Sequence, residues 1–203
     1  MALQINGTTV VNNSRALQNI ASVDSTTAAS ITSAGVGGGW SQQSTGTLSG
    51  TTPQITIPNA DFVRIYLFDW RHSGGTTGSY VRFQKVGSSS VDTGFNYGEN
   101  YIEYFQSGNT TGSGTGGVGK TNTTALTLMD TTNNINTHGF IEFHFPRSTS
   151  QNSFGNFRMI TTNNNAYGWN TQFVHRNTTG IDKLQIFNFS SLSYAGNYEV
   201  WTA

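Results

Sequence analysis

Ten short runs of strand-forming residues follow one another between residues 54 and 202, with turn-forming clusters and no helical period between them. They are 54–57, 62–70, 80–86, 100–106, 124–129, 139–145, 156–161, 167–175, 182–189 and 196–202. Thr, Val, Ile, Phe and Tyr fit a pleated, half-buried surface and are plentiful, whereas Ala, Leu, Glu and Lys, the strong helix formers, are scarce. Pro53, Pro58 and Pro146 stand at strand margins, where a missing N–H breaks no ladder. The spacing predicts an all-β chain, an antiparallel two-sheet sandwich that is jelly-roll-like. In the run 62–70, Val63, Ile65 and Leu67 fall on one face and Phe62, Tyr66, Phe68 and Trp70 on the other. A strand apolar on both faces is central or covered at an interface.

Ser, Thr, Asn and Gly make up nearly half of the 203 residues, a composition that can leave a chain unfolded. Aromatic residues are 12% of the chain, enough large rings to build one sandwich-sized core. Ten Lys and Arg balance ten Asp and Glu. Scattered basic residues give no phosphate-facing cluster, so no nucleic-acid partner is expected. No apolar run approaches the ~20 residues of a spanning helix, so no membrane insertion is expected. The N-terminus has neither a basic nor an apolar leader pattern, and no signal peptide is read there. Cys is absent, which excludes disulfides and thiolate chemistry.

The composition changes near residue 39, and the expected organisation is an attachment segment over 1–39 and a sandwich head over 40–203. Residues 1–39 hold no aromatic residue. Asn6-Gly7 between Leu3-Gln4-Ile5 and Thr8-Thr9-Val10 predicts a hairpin with a type I′ turn. The apolar positions Leu3, Ile5, Val10, Leu17 and Ile20 are too few to enclose a core in one chain, so they are read as contacts between identical copies. Gly35-Val36-Gly37-Gly38-Gly39 reads as a hinge.

Chemistry-bearing motifs are weak. Gly114–Thr121 matches the phosphate-loop pattern letter for letter, but loop residues precede it and a strand pattern follows, where the motif needs a strand and then a helix N-terminus. Glu142 and His144 share a strand face, but two ligands do not make a metal site. Asp69 and Arg71, near the end of the long strand, read as a pair that pins a loop. No residue set is assigned to catalysis, metal or cofactor, and the chain is read as non-enzymatic. Flat rings beside amides and hydroxyls can bind sugars without charge. The glycan-contact candidates are Tyr97, Glu99 and Tyr101, with Asn165, Tyr167 and Trp169 in a second Asn-rich stretch; the alternative for Tyr167 and Trp169 is that they point into the core.

Two stretches resemble known sequences. Asn6-Gly7-Thr8-Thr9-Val10-Val11-Asn12-Asn13-Ser14-Arg15-Ala16-Leu17-Gln18-Asn19-Ile20-Ala21-Ser22-Val23-Asp24 resembles the front segment of tail-fibre and other virion structural proteins of tailed phages, particularly marine ones. Ile181–Phe187 followed by Tyr194–Trp201 is similar to the closing strands of phage jelly-roll domains, with Trp201-Thr202-Ala203 in place of their usual tyrosine–glycine ending. The resemblance covers about a fifth of the chain. It implies a homotrimer on the virion surface, bound through its N-terminal part to other virion proteins, with an outward sandwich facing a host cell-surface glycan. A short fibre or receptor-binding protein is the expected role. A capsid decoration protein or a free carbohydrate-binding module is the alternative.

Overall fold

The computed structural model describes residues 3–5, 8–11, 26–27, 39–74, 78–94, 96–107, 110–114, 120–129, 136–161, 167–176 and 179–203, with backbone alone at 3–11, 101–122, 129 and 167. The chain separates into two compact units, Met1–Gly39 and Trp40–Ala203. In the first, β1 (Leu3–Ile5) pairs antiparallel with β2 (Thr8–Val11), and Ile5 opposite Thr8 leaves Asn6-Gly7 as the connection. Leu17 and Ile20 lie outside the described residues, as do the side chains of Leu3, Ile5 and Val10.

The second unit contains β3 (Ser41–Gly50), β4 (Gln54–Thr56), β5 (Phe62–His72), β6 (Ser79–Lys85), β7 (Tyr97–Ser107), β8 (Thr110–Gly114), β9 (Lys120–Thr123), β10 (Leu126–Met129), β11 (Thr137–His144), β12 (Ser153–Thr161), β13 (Tyr167–His175), β14 (Ile181–Phe187) and β15 (Tyr194–Thr202). Four antiparallel pairs nest inside one another: β3 with β15, β4 with β14, β5 with β11, and β6 with β10. That nesting is one long hairpin. It rolls up because β15 also pairs with β5 and β14 with β6, which is the jelly-roll order. The intervening segments enlarge one sheet only: β12, β13, β7 and β8 continue outward from β11, and β9 also pairs with β7. The result is a nine-stranded sheet over a four-stranded one of order β10-β6-β14-β4.

Alternation along the strands builds the core. Val63, Ile65 and Leu67 of β5, Ile141 and Phe143 of β11, and Val200 of β15 are fully buried and meet Ile55, Val81, Phe83, Leu184 and Ile186 of the smaller sheet in one cluster. Phe83 sits among the rings of Tyr97, Phe143, Phe173 and His175, with centroids 5.3–5.6 Å away. Edge-to-face and tilted contacts at this separation add to the burial term.

One expectation for β5 is corrected. Trp70 is buried, not grouped on the outer face with Phe62, Tyr66 and Phe68. Asp69 takes a positive φ of 48°, and the register of β5 slips against both β11 and β15 there. A bulge adds one residue and reverses the phase of everything after it. Gly196 passes this point with φ 152°, and a Cβ there would lie 2.6 Å from the Trp70 Cα, so only glycine fits. Asp69 contacts His138 at 3.2 Å, and Arg71 bonds Asn136 at 3.1 Å, so the two residues reach separate partners at the start of β11 rather than each other.

Candidate functional site

Tyr97, Glu99 and Trp169 are buried, which removes them from a glycan-contacting surface. For Tyr97 and Glu99 the cause is the length of β7, which begins at Tyr97 rather than residue 100, so residues read as a loop are strand, paired with β13 from His175 onward. Trp169, on β13, points into the core, the alternative stated for it. The Tyr97 hydroxyl accepts from Phe83 N at 3.0 Å and donates to Asp92 O at 2.9 Å. Burial pushes its pKa well above that of an ordinary tyrosine. The carboxylate of Glu99 accepts from the Thr127 hydroxyl at 2.8 Å and from the Thr127 backbone N–H. It ties β7 to β10 inside the sandwich and is shielded from any ligand at the surface. Tyr101 and Tyr167 pair by backbone with Thr171 and Phe105; their side chains, and Asn165 altogether, lie outside the described residues. In the phosphate-loop match, Lys120–Thr123 is a strand paired to β7, not the start of a helix.

Three exposed rings, Trp40, Phe62 and Phe154, stand with Ile160 at the outward face of the nine-stranded sheet, all between 38% and 53% exposed; the more exposed Phe189 lies outside that sheet. A contiguous apolar surface marks a contact face. Antiparallel pairing lays its residues in rows across the strands. One row runs Glu199, Tyr66, Phe140, Arg158, Asn170 across β15, β5, β11, β12 and β13. The next runs Trp201, Arg64, Glu142, Asn156, Gln172. A third holds Phe62, His144 and Phe154, where His144 stacks on Phe154 with centroids 4.8 Å apart and meets Phe62 edge-on at 5.1 Å.

Arg64 is the hub of this face. Its guanidinium lies 4.5 Å over the Trp40 ring and 5.1 Å over the Phe140 ring, the geometry of cation–π attraction. Its Nε donates to Glu142 at 2.9 Å, with a second bond from Nη2 to the same carboxylate oxygen. The other Glu142 oxygen faces His144 Nε2 at 3.4 Å. Burial alone would raise the Glu142 pKa, but the bonds from Arg64, and to a lesser degree His144, hold it below the ordinary value. An anion held in this way is a poor proton donor. Among the described residues no group of three or more His, Asp or Glu gathers to hold a metal ion.

Two hollows open on this face, one against the Trp40 ring that Arg64 covers. The larger, about 340 Å³, is lined by Trp40, Tyr66, Phe68, Glu199 and Trp201. The smaller, about 260 Å³, shares Phe68 and Glu199 and adds Thr45, Thr47 and Asn197. Tyr66 and Phe68 stack with centroids 6.1 Å apart, and the Trp201 indole N–H donates to Glu199 Oε2 at 3.0 Å. Sequence reasoning passed over these residues by looking for ligand contacts in loops, although the second aromatic face of β5 was the signal for them. The chain matches no family model and has no significant match among curated proteins.

Proposed function

We propose that the chain is a non-enzymatic structural protein of a tailed-phage virion surface, a short fibre or receptor-binding protein. Its N-terminal unit gathers three copies and joins them to other virion proteins, and its jelly-roll head meets host glycan. The observation that carries the contact role is the outer face of the nine-stranded sheet, where rings and amides stand in rows. Of its acids, Glu142 is bound by Arg64 and Glu199 is held through one oxygen by the Trp201 indole, while Glu99 is buried behind the sheet. That chemistry suits recognition better than proton transfer. The virion context comes from the resemblance of residues 6–24, and the jelly-roll pairing of the head agrees with it.

The reading is tested by molar mass from light scattering. The full chain should run near three times 21.9 kDa. The double variant Leu17→Asp, Ile20→Asp should fall to the monomer mass with an unchanged β-type circular dichroism spectrum. A monomeric wild-type chain, or a variant that stays trimeric, overturns the assembly role of the N-terminal unit.

A further inference from the structure

We infer that the paired hollows at the β3–β15–β5 end of the outer face form an oligosaccharide site, in which Trp40, Tyr66, Phe68 and Trp201 supply ring-stacking surfaces and Glu199 accepts sugar hydroxyls. This rests on the glycan-facing half of the proposed function and is independent of the virion half. It moves the ligand away from both loop stretches that the sequence suggested.

Three observations carry it. The hollows share Phe68 and Glu199 as walls, so they lie side by side across β15, from β5 toward β3. A ligand longer than one sugar ring spans both. The lining offers both kinds of contact that an oligosaccharide uses: the rings of Trp40, Tyr66 and Trp201 in the larger hollow for the apolar faces of a pyranose, and in the smaller the hydroxyls of Thr45 and Thr47 with the Asn197 amide, beside the rings of Phe68 and Tyr198. Glu199 stands between the two compartments. Its Oε2 is fixed by the Trp201 indole, and Oε1 takes no hydrogen bond from any described residue.

Aromatic rings around a carboxylate could equally receive an organic cation. The Thr45 and Thr47 hydroxyls and the Asn197 amide argue against that here, because they offer hydrogen bonds that a quaternary ammonium cannot use. A neutral, hydroxyl-rich ligand uses them.

The full-length chain is screened on an array of neutral and acidic oligosaccharides, and the strongest binder is titrated by calorimetry. Trp70 and Trp169 are buried, so oxidation by N-bromosuccinimide reports on Trp40 and Trp201, and bound oligosaccharide should protect both. Trp40→Ala and Glu199→Gln should each weaken binding by at least about tenfold, while Phe189→Ser, at an exposed ring outside the nine-stranded sheet, leaves it unchanged. Trp40 precedes β3 and lies outside the core cluster, so its variant reports on the site even if Glu199→Gln disturbs β15. Binding that neither Trp40→Ala nor Glu199→Gln affects overturns the site and leaves the glycan-facing reading standing. A wild-type chain that binds no oligosaccharide on the array overturns both. Tetramethylammonium competing for the hollows, with no sugar effective, overturns the ligand class.

Discussion

Replacing Asp92 by Asn should destabilise the head at neutral pH and make it less sensitive to acid. The Asp92 carboxylate is buried. Its Oδ2 receives Asn96 Nδ2 at 2.9 Å and lies 3.1 Å from His175 Nε2 and 3.2 Å from Lys85 Nζ, while Oδ1 accepts from Gly94 N at 2.9 Å. Burial opposes its ionisation, but these donors together outweigh burial and hold its pKa at about 2, against an ordinary 3.8. A folded pKa below the unfolded one means the stabilisation is complete above pH 3.8 and is lost as pH falls through about 2. At about 1.4 kcal/mol per pH unit the gap corresponds to about 2 kcal/mol, nearer to ~1 kcal/mol where water screens the partly exposed Lys85. His175 adds a second window. It is fully buried, and burial depresses its pKa below 6.5 in spite of the neighbouring Asp92. The unfolded chain therefore takes up a proton that the folded chain refuses, and stability falls as pH drops below 6.5. Urea unfolding followed by tryptophan fluorescence from pH 7.5 to 2.5 measures both effects. The wild-type chain should lose stability in two stages, and His175→Gln should abolish the first. The Asn variant should start lower by about 1–2 kcal/mol, and the gap to wild type should shrink by about half or more by pH 2.5. A gap that stays constant across the whole range refutes the reasoning.

Phe83→Ala removes the ring that four others surround and should cost about 3–5 kcal/mol in chemical denaturation, whereas Phe189→Ala, at a residue 65% exposed, should cost less than about 1 kcal/mol. Similar losses for the two would contradict the described core. Gly196→Ala should destabilise by about 1–3 kcal/mol, because the new methyl meets the Trp70 backbone and the residue must hold a positive φ; an effect within about 0.5 kcal/mol, the range of an ordinary surface change, would show that the bulge relaxes freely. Arg64→Met should raise the Glu142 pKa, followed by carboxyl-carbon NMR, since only the weaker His144 contact then opposes burial. A value that stays low would mean that Arg64 is not what holds the anion.

Strands with buried faces could be read from the sequence. β13 lies where periodicity puts it, at 167–175, and β5, β6, β11 and β14 differ from expectation only at their ends. β3 could not be read. In Ser41–Gly50 only Leu48 is buried, because an edge strand of the larger sheet shows most of its side chains to water and carries no alternation to detect. β8 and β9 hide in a Gly- and Thr-rich stretch, where backbone pairing to β7 provides the order that side-chain pattern does not. The burial of Tyr97 and Glu99 depended on where β7 begins, and boundaries are set by tertiary pairing more than by local preference. The hollows escaped notice because Trp40, Tyr66, Phe68 and Trp201 are scattered along the chain, and only the rolled hairpin brings β3, β15 and β5 side by side.

The nesting of β3 against β15 also determines how the head carries tension. Ser41 pairs with Thr202, so the two ends of the head leave from the same edge of the sheet. β3 sits at that edge with β15 as its one neighbour in the sheet. A pull between residue 41 and the C-terminus would open this pair one rung at a time, like a zipper. A pull between residue 41 and the opposite end of the sandwich would instead load the whole β3–β15 ladder in shear, with all rungs sharing the force. A head tethered at Trp40 and gripped at its far loops is thus mechanically strong, and the same head dragged by its last residues peels apart.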